Sequence, residues 1–292
     1  MKSYRFLLII FTLTLPLIFN SCTKDEKDDV ILYDCPECEQ DGIIPADEDV
    51  LPTLDVPERS DPKVIVLMYH NLVYGRTGSI YNRDIYNFEN DLVYLRKNFK
   101  IIDFYDLEKI NNGEMTLNND AAIITFDDGD LSIYYLAFPL LKKYNFKATF
   151  FIVSSFVTNE VGYVKWEQLE EMVDYQNKEG IKLFSLGSHS TTHARLGEIT
   201  LDEARTELSV SKEVISTTLD VPVDFVALPY GSGADVPEIQ QIIKELGYKG
   251  SRTSTYNVIS EFPTDMYLLP GNEIDNYSND VFIQNMQTWL GR

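Results

Sequence analysis

Two of the three histidines in this 292-residue chain stand four apart, in Ser188-His189-Ser190-Thr191-Thr192-His193. Upstream, an apolar run ends in paired carboxylates, Ala121-Ala122-Ile123-Ile124-Thr125-Phe126-Asp127-Asp128-Gly129. Two imidazoles and one carboxylate make a mixed nitrogen and oxygen ligand set for a divalent metal, with positions left open for water and substrate. The second carboxylate is then free to take a proton from that water. Each piece alone has a plainer reading. Asp-Asp-Gly is a common turn after a strand, and histidines in a Ser/Thr-rich loop can be surface groups or caps. Their coincidence implies a hydrolytic metal site.

Such residues need a scaffold that gathers distant parts of the chain. Beyond Pro62, apolar strand-like runs alternate with helix-like segments. Strands are expected at 63–69, 100–102, 121–126, 148–153, 181–186, 224–228 and 266–269. Several are near-continuous in Val, Ile, Leu and Phe, as strands buried on both faces are. Thr200 and Glu203 form a capping box for a helix carrying Leu201, Ala204, Leu208, Ile215 and Leu219. Asp235 and Glu238 are expected to cap a second, carrying Ile239, Ile242, Ile243 and Leu246 and stopped by Gly247. Alternation of β and α implies a parallel sheet. His70, Asp127 with Asp128, His189 with His193, and Pro229-Tyr230-Gly231 each fall just past the C-terminal end of a strand. Ends of four separate strands converge most naturally around the mouth of a βα barrel. An open doubly wound sheet would draw on the strands at its switch point, and no GxGxxG or GxxxxGK[ST] loop supports one.

Composition narrows the class further. An apolar content of 44% supports one large domain plus a tail. With 25 basic and 46 acidic residues the formal charge is −21, and no basic patch is visible, which argues against nucleic acid as a partner. Lys2 and Arg5 precede an apolar stretch, 6–19, too short for a comfortable membrane span. It ends at Asn20-Ser21-Cys22, which resembles the lipobox of bacterial lipoproteins, where Cys22 becomes the lipidated first residue. The acidic stretch that follows, 23–29, looks like the export signal of surface lipoproteins in some Gram-negative bacteria. From 23 to 61 there are fourteen acidic and three basic residues, with prolines and no apolar period, so this stretch reads as a disordered or extended tether. The expected organisation is a lipoprotein signal peptide at 1–21, an acidic tether at 22–61 and one catalytic domain at 62–292. The expected location is the bacterial cell envelope, with a lipid on Cys22 as the anchor to the outer membrane. Cys35-Pro36-Glu37-Cys38 cannot fill a zinc site alone and reads as a local disulfide or two spare thiols.

Thr125-Phe126-Asp127-Asp128-Gly129 and His189-Ser190-Thr191-Thr192-His193 resemble the first two motifs of polysaccharide deacetylases, the NodB-homology group of carbohydrate esterase family 4. The likeness runs from about Pro62 to near the C-terminus. It implies a distorted (β/α)7 barrel, hydrolysis of N- or O-acetyl groups on glycans, and one divalent metal, commonly zinc. Carried over by motif, Asp128, His189 and His193 are the expected ligands and Asp127 the expected base. Two histidines and one aspartate suit cobalt, nickel or iron as well as zinc. Pro229-Tyr230-Gly231 resembles the third motif, whose tyrosine backbone N–H implies an oxyanion donor.

Two departures from the family pattern bear on mechanism. The third motif often carries an arginine that orients the catalytic aspartate, and Ala227-Leu228-Pro229-Tyr230 has none. Many members also carry a late Leu-x-His whose histidine protonates the leaving amine, whereas Tyr267-Leu268-Leu269-Pro270-Gly271-Asn272-Glu273 holds no histidine. Both departures resemble the branch acting on poly-β-1,6-N-acetylglucosamine, in which an early Tyr-His serves the site. Tyr69-His70 matches it, so His70 is the expected acid or amine-orienting residue; its plainer reading is packing at the barrel mouth. Glu273 is a second, weaker candidate for the same job, its plainer reading being a solvated loop charge. Tyr74, Tyr81, Tyr163 and Trp166 fall in loops where rings could stack on sugars. The expected activity is removal of N-acetyl groups from an N-acetylhexosamine polysaccharide. The alternatives are an O-acetyl esterase on polysaccharide and a glycan-binding surface lipoprotein without turnover. A base beside a metal has no purpose in the last.

Overall fold

The apolar runs become strands of a parallel sheet with both faces covered. The computed structural model describes residues 50–292 apart from 53, 76 and 77. The expected signal segment 1–21, Cys22, Cys35, Cys38 and the tether as far as residue 49 lie outside the described residues. In chain order the strands are β1 (Val64–Tyr69), β2 (Asn71–Val73), β3 (Asn82–Asp84), β4 (Lys100–Ile102), β5 (Ala121–Phe126), β6 (Ala148–Ile152), β7 (Phe184–Ser188), β8 (Phe225–Ala227), β9 (Gly250–Arg252) and β10 (Asn272–Glu273). The α-helices are α1 (Ile85–Asn98), α2 (Phe104–Asn111), α3 (Phe138–Tyr144), α4 (Trp166–Asp174), α5 (Leu201–Leu219), α6 (Pro237–Glu245) and α7 (Asn279–Leu290). No described helix is long and apolar enough to cross a membrane.

The main sheet runs β10-β1-β5-β6-β7-β8-β9, with β4 also on β5, and β2 pairs β3 separately. A strand has only two edges. β1 takes one edge of β5 along its whole length, so β4 and β6 share the other, β4 along the first half and β6 along the second. At the far end, Ser251 N–H donates to Met266 O (2.9 Å) and Leu269 N–H to Ser251 O (3.0 Å). The same segment runs on into β10, which pairs β1 through Leu67↔Asn272 and Met68↔Glu273. The sheet thus curls back to its first strand as a distorted (β/α)7 barrel.

Alternation along each strand sorts residues between two cores. Ile65, Leu67, Tyr69, Ala122, Ile124, Phe126, Phe150 and Val226 join Phe88, Leu92, Leu141, Leu208 and Phe282 of the surrounding helices. Val64, Val66, Ala121, Ile123, Phe151, Phe225 and Ala227 form a second cluster inside the curl, with Phe104 and Leu107 of α2. Burying one such Val, Leu, Ile or Phe side chain is worth about 1.5–3 kcal/mol. Both residue sets therefore hold the register.

Four expectations shift. The strand expected at 181–186 lies at Phe184–Ser188, because Asn177 draws Ile181 into a turn: Asn177 N–H donates to Ile181 O (3.0 Å), and Ile181 N–H to Asn177 Oδ1 (2.9 Å). No strand forms over 266–269, where the chain turns (Leu268 N–H donates to Asp265 O, 3.3 Å) and Leu269 makes a lone bridge to Arg252; β9 and β10 complete the wall instead. α6 takes Val236 as its N-cap with Pro237 following, and no side chain caps it, so Asp235 falls outside the cap. The described end of the tether lies on the domain. Leu51 N–H donates to Lys143 O (2.8 Å), Arg59 N–H to Asn118 O (2.8 Å), and the Arg59 guanidinium meets Asp120 at 3.2 Å.

A buried ion pair fastens the C-terminal part to this wall. Arg83 meets Asp91 through two nitrogens (2.6 and 2.9 Å), both side chains being fully buried. Arg83 also donates to the carbonyls of Asp275 and Tyr277 just beyond β10, and Asn279 of α7 donates to Asp91 (2.9 Å). Burial pushes the Asp91 pKa up to about 6 against the pull of Arg83. Arg83→Met should lower the unfolding free energy by about 3–5 kcal/mol, since it leaves a buried carboxylate without its cation. Urea unfolding of the chain checks this, and adding Asp91→Leu should restore most of the loss.

Candidate active site

Register and alternation together build the site. β1 and β5 end level, at Tyr69↔Phe126, and Asp127 N–H donates to Tyr69 O (2.9 Å). Val64, Val66, Met68 and His70 share one parity, as do Ala121, Ile123, Thr125 and Asp127. One residue past each strand, both chains therefore present a side chain on the inner side of the curl. Around the sheet, His189 follows β7, whose last residue Ser188 is level with Val226, and Ala227 is level with Arg252.

The His189 ring is set by its Nδ1, 2.9 Å from Ala227 O. A carbonyl only accepts, so Nδ1 carries the proton and Nε2 is left as the outward-facing lone pair. His193 reaches the same point from a short loop with left-handed backbone at Ser190 (φ 63°) and His193 (φ 63°). Such conformations cost about 1–3 kcal/mol each and need support. Glu207 of α5 supplies it, accepting from Thr191 N–H (2.9 Å), Thr192 N–H (2.8 Å) and Thr192 Oγ1 (2.7 Å). His193 N–H also donates to Ser190 Oγ (2.9 Å). Asp128, likewise left-handed at φ 72°, turns out of β5 toward the two imidazoles.

Asp128 Oδ1 lies 3.3 Å from His189 Nε2 and 3.2 Å from His193 Nε2, and the two Nε2 atoms are 3.2 Å apart. Asp128 Oδ1 is buried and has no properly aligned hydrogen-bond partner. One orphaned oxygen and two ring nitrogens converging on one point fit a divalent cation. Burial opposes the charge on Asp128, yet the two imidazoles outweigh it and hold its pKa well below the carboxylate range. Burial likewise opposes charge on His189, and the neighbouring Asp127 and Asp128 push its pKa up. A site that stabilises negative charge on oxygen and crowds positive charge onto nitrogen is poised for a metal.

Asp127, 2% exposed, lies with Oδ2 3.8 Å from His189 Nε2. Its Oδ2 accepts from Arg252 at the end of β9, and its Oδ1 is buried without a partner. Arg252 is thus the aspartate-orienting arginine that the third motif lacks, supplied from another strand. Its guanidinium lies 5.3 Å from the Phe151 ring centroid. Gly271 makes room for it: a Cβ there would come within 2.6 Å of Arg252 Cδ and 2.5 Å of Thr253 O. In sequence, Gly250-Ser251-Arg252 has no apolar residue to mark a strand.

A cleft of about 440 Å³ opens over these groups, lined by His70, Tyr81, Arg195, Tyr230 and Glu273 among others. Tyr230 has left-handed backbone (φ 58°), is 53% exposed, and lies 4.6 Å from the His193 ring with Arg195 3.8 Å above its own centroid. His70 Nδ1 is buried without a partner, its ring lies 5.1 Å from Tyr81, and burial lowers its pKa. Glu273, read from sequence as a solvated charge and only second as a candidate acid, is half-buried in the cleft wall with Oε1 unpartnered. Tyr81 lines the cleft; Tyr74, Tyr163 and Trp166 are not among its lining residues.

Fold and mouth together define a βα-barrel protein with a candidate mononuclear metal centre at the C-terminal ends of its strands. Residues 114–251 match the family model for polysaccharide deacetylases. YxkH of Bacillus subtilis is 26% identical over 170 residues, which are 58% of this chain and 57% of that protein. A poly-β-1,6-N-acetyl-D-glucosamine N-deacetylase of Staphylococcus aureus is 26% identical over 178 residues, 58% of each chain. This chain therefore spans less than two thirds of the length of either relative. The fold matches that of the deacetylase PplD from Streptococcus pyogenes with a TM-score of 0.67 at 22% identity, over 78% of this chain and 99% of PplD.

Glu207→Ala removes the clamp on the His193 loop without touching a ligand atom. It should weaken zinc binding about tenfold or more, as loss of groups supporting metal ligands does. Competition against a chromophoric chelator measures the change.

Proposed function

We propose that the chain is a metal-dependent hydrolase that removes N-acetyl groups from an N-acetylhexosamine polysaccharide. The observation that carries this reading is the convergence of Asp128, His189 and His193 on one point, beside an arginine-tethered Asp127. The family match and the names of the relatives support it, and the Staphylococcus aureus relative makes β-1,6-linked N-acetylglucosamine the first polymer to try. Zinc, held by Asp128, His189 and His193, would polarise the acetyl carbonyl and acidify a bound water; cobalt, nickel or iron suit the same donors.

The protein's own groups do the rest. Asp127 accepts the proton of the attacking water through the carboxylate that Arg252 holds in place. The Tyr230 backbone N–H serves as donor to the developing oxyanion. His70, kept neutral by burial, hydrogen-bonds the leaving nitrogen and orients it. A lipid on Cys22, with the acidic stretch behind it, would hold the domain at the cell envelope facing its polymer.

The test is acetate release from β-1,6-linked N-acetylglucosamine oligomers, with added zinc and with chelator. Chelator should abolish release, and Asp127→Asn should lower kcat by about 10²–10⁴. Arg252→Lys keeps the charge but loses the fork geometry that aims Asp127. It should cost about a hundredfold in kcat, as small misplacements of catalytic groups do, with metal stoichiometry unchanged. A chain that holds one metal tightly and releases no acetate overturns the reading.

A further inference from the structure

The deacetylase reading leaves one proton unaccounted for. Asp127 takes a proton from water, a neutral His70 orients the nitrogen, and an amine cannot leave an acetyl carbon without being protonated. The family's late histidine is absent, and the part of the chain where it would fall runs Leu269-Pro270-Gly271-Asn272-Glu273.

We propose that Glu273 is the catalytic residue that hands the proton to the departing nitrogen. The inference rests on the deacetylase reading and assigns to that site an acid the motifs do not contain. β10 pairs Glu273 with Met68, and Met68 belongs to the inner parity of β1 that also carries His70. Residues level on parallel strands face the same side, so Glu273 enters the cleft from the wall beside His70. Its backbone is pinned on both sides. Asn272 donates through Nδ2 to Val66 O (3.1 Å) and Asn257 O (2.7 Å), and Ile274 N–H donates to Met68 O (2.9 Å). Glu273 lines the same cleft as Asp127, Asp128 and His70, and its Oε1 is buried with no hydrogen-bond partner. A half-buried carboxyl oxygen with no partner in the chain is free to meet a group that enters the cleft.

The surroundings raise its hold on a proton. Burial first, then the carboxylates of Asp275 and Asp127, push its pKa up to about 7, against the opposing pull of Arg252. Asp275 follows on the same segment, Asp127 faces from the end of β5, Arg252 from β9 and His70 from β1; Tyr256 also lies within its field. When the C–N bond of the tetrahedral adduct breaks, its electron pair goes to nitrogen and the carbonyl of acetate re-forms. The nitrogen takes the Glu273 proton and leaves as the amine. Glu273 is then a carboxylate and Asp127 holds the proton taken from water, and exchange through solvent resets both.

An alkoxide leaves without help far more readily than an amine, so the test compares matched N-acetyl and O-acetyl oligosaccharides on the zinc-loaded full chain. Glu273→Gln should lower kcat on the N-acetyl substrate by about 10²–10⁴ and on the O-acetyl substrate by less than about tenfold. Wild-type kcat on the N-acetyl substrate should fall as pH rises through about 7, where the carboxyl loses its proton, and this limb should be missing on the O-acetyl substrate. A variant within about threefold of wild type on the N-acetyl substrate, or equal losses on both substrates, overturns the assignment. So does a wild-type profile with the same limb on both substrates, a measurement that needs no variant. Wild type releasing acetate from neither substrate overturns the deacetylase reading and the assignment with it.

Discussion

Everything at the mouth depends on a parallel sheet buried on both faces. With apolar cores on the two sides of β1 and β5, neither strand can slip by one residue without exchanging its inner and outer sets. That constraint sets which side chains emerge inward where the strands stop. His70 and Asp127 are the next inner positions after Met68 and Thr125, and Glu273 is level with Met68. The chemistry is placed by packing that lies well beneath it.

The loops beyond the strands work against local preference. Asp128, Ser190, His193 and Tyr230 all take left-handed backbone, a conformation rare for residues other than glycine. Aspartate and histidine tolerate it better than most, which suits Asp128 and His193 there. The rest is held by the surroundings: Glu207 gathers the Thr191–Thr192 amides, and Ser188 Oγ accepts from Ser190 N–H while donating to Ser211 in α5. Strain in the loops is offset by the hydrogen-bonding capacity of one helix.

Much of this was legible in the sequence, for reasons that also explain the rest. The runs at β1, β5 and β6 announce themselves because both faces are apolar, and the Asp-Asp-Gly and His-x-x-x-His pairs follow such runs directly or nearly so. The Thr200–Glu203 box is a local signal and appears as expected. β9 was hidden because Gly250-Ser251-Arg252 has no apolar residue; its neighbours supply the burial. Arg252 looked like any other arginine, since only its level with Ala227 brings it to Asp127. Glu273 follows Pro270-Gly271, a turn signal, and the pairing that buries it is with a strand some two hundred residues earlier in the chain. The pieces read correctly are local; those missed are relations between distant strands.

The order of these pieces along the chain has a temporal consequence. All three groups that converge for a cation are present once His193 has been made, on strands that pair with one another from β5 to β7. Glu207 on α5 and Ala227 on β8, which hold the His193 loop and the His189 ring, follow next, so the converging point has all its supports before the arginine that holds Asp127 is made. That arginine and the wall carrying Glu273 come later, at β9 and β10, and β10 reaches β1 only when the curl is complete. Along the chain the converging point is complete first, and the groups that fix Asp127 and close the cleft wall come last.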